Sequence, residues 1–154
     1  MQTLTVNQAC EVSGVNPQTL RNWVSAGVIE PAEAGTTGTG KGHRFSVMQV
    51  IAMCAGRAYW DEGADGPRCA ATVRYLAGLT LEYLEAELAD GRSVPVPGTM
   101  FGKSWMPGLL VTPPKSPEIQ SLVKKLDLRN IKAEVLRKIA ALGQQTTTKK
   151  QRRK

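Results

Sequence analysis

Apolar positions in the first fifty residues recur at helical spacing in short runs separated by turn residues. Leu4 and Val6 flank Thr5, and Thr5 with Gln8 three places on has the pattern of a capping box, in which each side chain serves an amide the helix leaves open. Val6, Ala9, Cys10 and Val12 then fall mainly on one face and Gly14 supplies a stop, which predicts a short first helix. Asn16-Pro17 opens a second, with Asn as cap and Pro at the first helical position, where its missing N–H costs nothing. That helix runs from Pro17 to about Ala26, with Leu20 and Val24 inward and Gly27 as its stop. Ser46 with Gln49 repeats the capping box and opens a helix through about Trp60, whose inward stripe is Val47, Val50, Ile51, Cys54 and Ala58.

Further along, Asp61 to Gly66 is an acidic break and Pro67 starts a helix to Gly78 carried by Val73 and Leu76. Thr80 caps Leu81 to Ala89, with Leu81, Leu84 and Leu88 on one side and Glu82, Glu85 and Glu87 elsewhere. Residues 93–115 change character, because Pro95, Pro97, Pro107, Pro113 and Pro114 forbid a regular helix and confine any strand to an edge. A small irregular hairpin is expected there, with Trp105 on the preceding helix. Ser116-Pro117-Glu118 then opens a last helix, with Ile119, Leu122, Val123 and Leu126 followed, after a break near Asp127, by Ile131, Val135, Leu136, Ile139 and Leu142. This face either packs on the chain's own domain or forms the seam of a homo-oligomer through helix 116–143. The expected fold class is mainly α. Its divisions are a domain over 1–62, a helical and Pro/Gly-rich segment over 63–115, an amphipathic helix over 116–143 and a disordered basic tail over 144–154.

Two short helices joined by a tight turn with Gly are the rhythm of a helix-turn-helix, whose second helix enters the major groove of DNA. Gln18, Thr19, Arg21, Asn22 and Ser25 are the polar side chains this helix offers. Gln and Asn can pair with adenine through two hydrogen bonds, and Arg can clamp a guanine or a phosphate. Val28-Ile29 and Arg44-Phe45 read as brief strands around a glycine-rich connector, Ala34 to Gly42, which beside a helix-turn-helix reads as a two-stranded wing. Lys41, His43 and Arg44 would bring charge and donors to its tip. The same loop fails as a phosphate cradle of the P-loop kind, since Gly40-Lys41 is followed by Gly42 where Ser or Thr is required.

Composition narrows the picture. The 154 residues are 42% hydrophobic and 21% charged, ordinary for a globular protein, and no apolar run reaches membrane-spanning length. The start MQTLTVNQAC lacks the basic patch and apolar stretch of a secretory signal, so a cytoplasmic, nucleoid-associated protein is expected. Cys10, Cys54 and Cys69 form no CxxC pair and His43 is the single histidine, so neither a metal site nor a cofactor is indicated and no enzyme is expected. The glutamates of 82–87 have no such group beside them and read as a solvated face. The formal charge of +7 is uneven: residues 1–60 carry +1, 61–115 carry −2, 116–148 carry +3 and KKQRRK at 149–154 carries +5. Lys149, Lys150, Arg152, Arg153 and Lys154 would therefore add sequence-independent affinity for phosphate backbones.

The stretch Leu4-Thr5, Gly14-Val15-Asn16-Pro17-Gln18-Thr19-Leu20-Arg21-Asn22-Trp23, Gly27-Val28-Ile29-Glu30-Pro31 and His43-Arg44-Phe45-Ser46 resembles the N-terminal winged helix of MerR-type regulators over about residues 2–60. The resemblance implies that Thr19, Arg21 and Trp23 touch DNA backbone or base edges and that Arg44 holds a phosphate at the wing. Trp23 also reads simply as core. The long dimerising helix typical of that family does not follow here, so its effector pockets and metal-binding cysteines are not carried over.

The leading expectation is a sequence-specific double-stranded DNA-binding protein, most simply a MerR-like transcription regulator. Two alternatives stand beside it. One is a phage terminase small subunit or excisionase-like factor with a phage or host protein partner. The other is a protein-interaction adaptor without DNA binding, which the small charge of residues 1–60 allows and which Arg21, Lys41 and Arg44 oppose.

Overall fold

The computed structural model describes residues 2–35, 42–61, 63–89, 95–101, 104–109 and 128–151. The chain begins with β1 (Thr3–Thr5), which runs directly into α1 (Val6–Ser13). Thr5 is both the last strand residue and the helix cap: its Oγ1 accepts from the Gln8 amide, and Gln8 Oε1 accepts from the Thr5 amide at 3.0 Å. Gly14, at φ +71°, ends α1 in the left-handed region that favours glycine. Asn16 Oδ1 then accepts from the Gln18 amide at 2.8 Å and Pro17 starts α2 (Pro17–Ser25). These local devices set two helices with a tight turn between them, as the sequence predicts.

The small sheet differs from expectation. β2 (Arg44–Ser46) pairs antiparallel with β1, in the register Thr3↔Ser46, Leu4↔Phe45 and Thr5↔Arg44. Val28 and Ile29 form no strand. After the turn at Gly27 the amides of Val28 and Ile29 both bond the Trp23 carbonyl rather than a strand partner, and both side chains enter the core. The second side of the wing is instead Glu33, which exchanges two backbone hydrogen bonds with Arg44 at 3.0 and 3.2 Å. Leu4 and Phe45, paired across the sheet, are buried and close one end of the core.

At the centre lies α3 (Val47–Asp61), started by the reciprocal Ser46–Gln49 hydrogen bonds at 2.9 and 3.2 Å. Val50, Ile51, Ala52, Met53 and Ala55 are fully buried, so this helix is enclosed on most sides rather than along one stripe. Gln49, itself buried, also donates from Nε2 to the Glu30 carbonyl and ties the exit from α2 to α3. α4 (Gly66–Ala77) is capped by Asp65, whose side chain accepts from the Arg68 amide at 2.9 Å. It crosses α3 closely at Gly56, where any Cβ would collide with Val73 Cγ2. α5 (Leu81–Ala89) follows, with Thr80 Oγ1 accepting from the Tyr83 amide at 3.1 Å and Leu84 and Leu88 buried.

β3 (Pro95–Phe101) and β4 (Ser104–Leu109) form the expected irregular hairpin. The register shifts between Val96 and Thr99, where Pro97 has no amide to donate. Its backbone approaches α4, and the expected seat of Trp105 lies outside the described side chains.

The last described element, α6 (Leu128–Gln151), changes the reading of the C-terminal third. Residues 116–127, where this helix was expected to begin, lie outside the described residues. At its other end α6 continues to Gln151, past the point at which a disordered tail was expected from residue 144. Leu128, Val135 and Ile139 are buried, and Ile131 and Leu142 are packed against the same core. Over residues 128–142 this part of the apolar stripe packs within the chain, against α3 and α1, and leaves Leu136 exposed. The rest of the expected stripe, Ile119 to Leu126, lies outside the described residues.

Polar contacts fix the orientation of α6. Arg129 donates to the Leu88 carbonyl at the end of α5 at 2.6 Å, and Lys132 pairs with Glu85 at 2.8 Å. Lys138 Nζ pairs with Glu134 at 3.0 Å and donates to the Val12 carbonyl of α1 at 3.2 Å. A cation among the open carbonyls of a helix C-terminus is favourably placed both as a hydrogen-bond donor and against the helix dipole.

Candidate nucleic-acid interface

The exposed face of α2 follows from what its other face must bury. Leu20 is sunk in the core and Val24 is half-buried, so residues displaced around the helix from these point outward. Gln18, Arg21, Asn22 and Ser25 are exposed and Thr19 is half-buried beside them. Three of these side chains form a connected array. Gln18 Nε2 donates to Asn22 Oδ1 at 3.0 Å, and Arg21 Nη1 donates to Gln18 Oε1 at 3.3 Å. Such mutual bonds hold the amides and the guanidinium in defined directions and leave further donors and acceptors turned outward. Among the described residues Arg21 takes part in no ion pair.

Trp23 sits differently. Its ring packs toward α3, with its outer edge 3.4 Å from where a Cβ on Gly56 would lie, and its carbonyl accepts from the amides of Val28 and Ile29. Trp23 is half-buried and packs against the core, with the rest of its surface open. The absent side chain at Gly56 makes room for the ring and for Val73 together.

At the wing, His43 Nδ1 accepts from the Gly35 amide at 2.9 Å and closes the base of the glycine-rich loop. One of its nitrogens is therefore committed to the stem of the loop. Arg44 is exposed, lies 3.6 Å from a Glu33 carboxylate oxygen and donates to Thr3 Oγ1 at 3.4 Å. Lys41 lies outside the described residues, as do Arg152, Arg153 and Lys154, while Lys149 and Lys150 fall on α6.

Sequence patterns do not single out Arg57. It donates from Nη1 to the Gly14 carbonyl at 3.0 Å and from Nε to Asp61 at 2.9 Å. With Lys138 on Val12, two cations from different helices serve carbonyls at the C-terminal end of α1 and at its cap Gly14, where the turn into α2 begins. Both line a cleft of about 180 Å³ between α1, α3 and α6. Cys54 lies there too, its thiol pushed up to about 12 by burial, with Lys138 opposing and Glu134 reinforcing the shift. A thiol so placed stays protonated and unreactive at neutral pH. The i+4 spacing of Arg57 to Asp61 was a visible signal of pairing, but its bond to Gly14 joins residues 43 positions apart.

Among the described residues no three His, Cys, Asp or Glu side chains gather as a metal site, and no helix is long and apolar enough to cross a membrane. No curated protein matches the chain. With a turn held by Gly14 and Asn16, a second helix with an ordered polar face and a small sheet beside it, residues 3–57 match a family model described as a helix-turn-helix domain, and DNA is the partner that this domain supports.

Proposed function

We propose that the protein is a sequence-specific double-stranded DNA-binding regulator of the MerR-like winged-helix type, with α2 in the major groove and the wing along the adjacent backbone. The observation that carries this reading is the hydrogen-bonded array of Gln18, Arg21 and Asn22 on the exposed face of α2. Arg21 and the two amides match the edges of guanine and adenine, and each good contact contributes roughly 1–3 kcal/mol of discrimination. Arg44 and the basic end at 149–154 supply phosphate contacts, which add affinity without sequence preference and weaken as salt rises. The protein acts by occupying its site and carries out no chemistry of its own.

A nine-residue recognition helix offers few base contacts, so a useful site consists of two half-sites or includes a second contact region. Selection from a random-sequence duplex pool at two salt concentrations tests the reading, comparing the intact chain with one ending at Thr148. An enriched motif that survives loss of the basic end supports it. Binding with no motif that disappears with the basic end refutes it.

A further inference from the structure

The charges at the wing do not point freely outward. Arg44, Glu33 and Thr3 form a closed triangle on the exposed side of the small sheet. Thr3 Oγ1 donates to Glu33 Oε1 at 3.1 Å, Arg44 Nη1 donates to Thr3 Oγ1 at 3.4 Å, and Arg44 Nε lies 3.6 Å from Glu33 Oε2. The backbone sets this arrangement. Glu33 and Arg44 are directly opposed through their two main-chain hydrogen bonds, and β1 on the other side of β2 brings Thr3 within reach. One carboxylate therefore occupies both oxygen positions of a seat formed by a guanidinium and a hydroxyl. Those donors are a common pairing for a phosphate oxygen in protein–DNA contacts.

The carboxylate is also costly at this place if the wing meets DNA. Residues 1–60 hold three acidic side chains against four basic ones, and one of the three is spent on the cation expected to meet a phosphate. Glu33 and Arg44 remain 56% and 44% exposed, so the pair is open to solvent and weak enough for a phosphate to replace it.

We propose that Arg44 and Thr3 form a seat for a DNA backbone phosphate and that Glu33 occupies it in the free protein as an internal competitor. The proposal rests on the DNA-binding reading above and adds a residue to it. Binding then requires Glu33 to release Arg44, which lowers affinity for duplexes in general. A site that α2 reads well supplies the compensating energy, while a site that it reads poorly does not. Glu33 thereby weakens binding to all duplexes alike, so that at a given protein concentration only sites that α2 reads well stay occupied.

A double-mutant cycle tests this in the full chain. Binding of a mixed-sequence duplex is measured at low and moderate salt for wild type, Glu33→Gln, Arg44→Ala and the double variant. Gln keeps the size of Glu and can still accept from Thr3, and far-ultraviolet circular dichroism checks that each variant is folded. Glu33→Gln is expected to tighten binding about two- to five-fold, the range in which an exposed ion pair falls. In the Arg44→Ala background the same change should produce little or no tightening. Equal tightening in both backgrounds overturns the proposal and leaves only a general charge effect, and no tightening in either also overturns it. If the wild type binds no duplex under any condition, the DNA-binding reading fails and the proposal fails with it.

Discussion

Val135 and Leu136 are neighbours on α6 with opposite environments, and they allow a direct test of whether this helix belongs to the core of the helix-turn-helix. Val135 is 1% exposed and Leu136 is 40% exposed. Val135→Ala removes two methyl-sized groups from the buried side, about 1.6 kcal/mol at ~0.8 kcal/mol per group. Incomplete collapse adds a cavity contribution, bringing the expected cost to about 2 kcal/mol. The neighbouring cleft gives the surroundings room to relax, which keeps the value from rising much further. Leu136→Ala deletes a larger side chain from a surface position and should cost less than ~1 kcal/mol. In urea, with a slope of about 2 kcal/mol per molar, the Val135 variant should lose ~1 M in midpoint and the Leu136 variant under half of that. Unfolding should be followed both by circular dichroism and by tryptophan fluorescence, to which Trp23 on α2 contributes. The midpoints from the two probes should coincide if α6 and the N-terminal domain unfold together. Equal effects of the two substitutions, or a Val135→Ala transition that leaves the fluorescence midpoint unmoved, would refute the docking of α6.

Three other substitutions or conditions probe separate parts of the account. Gly56→Ala gains helix propensity of about 1 kcal/mol but drives a Cβ into Val73 Cγ2, an overpacking cost of about 1–3 kcal/mol; a net loss of thermal stability is expected, and a net gain would show that α3 and α4 can move apart. Thr5→Ala removes the cap shared by β1 and α1 and should cost about 1 kcal/mol in the same assay. Burial raises the Cys54 thiol from 9.0 to about 12, so its contribution to stability is complete below pH 9 and is lost as pH rises toward 12, because only the unfolded chain ionises it readily. Burial moves the Tyr59 hydroxyl in the same direction. Cys54→Ala should therefore flatten the alkaline decline of the urea midpoint, and an unchanged decline would contradict the placement of this thiol.

The elements legible in the sequence are those whose cause is local. Thr5 with Gln8, Asn16 with Pro17, Ser46 with Gln49 and Thr80 each mark a helix start through contacts no more than three residues away. Gly14 marks a stop through its own backbone conformation. The pairing of β1 with β2 was not legible, because three-residue strands carry too little pattern to identify a mate some forty residues distant. Val28 and Ile29 have strand-like side chains, yet the core takes both of them. The apolar stripe of α6 is visible in the sequence, but its packing on α1 and α3, with Lys138 reaching Val12 across 126 positions, is a long-range contact that local pattern cannot show. The exposure of the polar side of α2 follows from the sequence, since it is the complement of the Leu20 side, whereas the packing of Trp23 toward α3 brings together residues some thirty positions apart.

The central claim is that α2 reads sequence, and the most direct measurement is the ratio of affinities for a selected duplex and its scrambled counterpart, taken for wild type and Arg21→Ala at the same salt. Arg21 is exposed and bonds only to Gln18 among the described hydrogen bonds, so its removal should leave the fold intact. The account predicts that the ratio falls by about 1–3 kcal/mol, roughly five- to more than a hundred-fold, with a smaller loss on the scrambled duplex. An equal loss on both duplexes would make Arg21 a phosphate contact only, and an unchanged ratio would contradict the assignment of α2 as the reading helix.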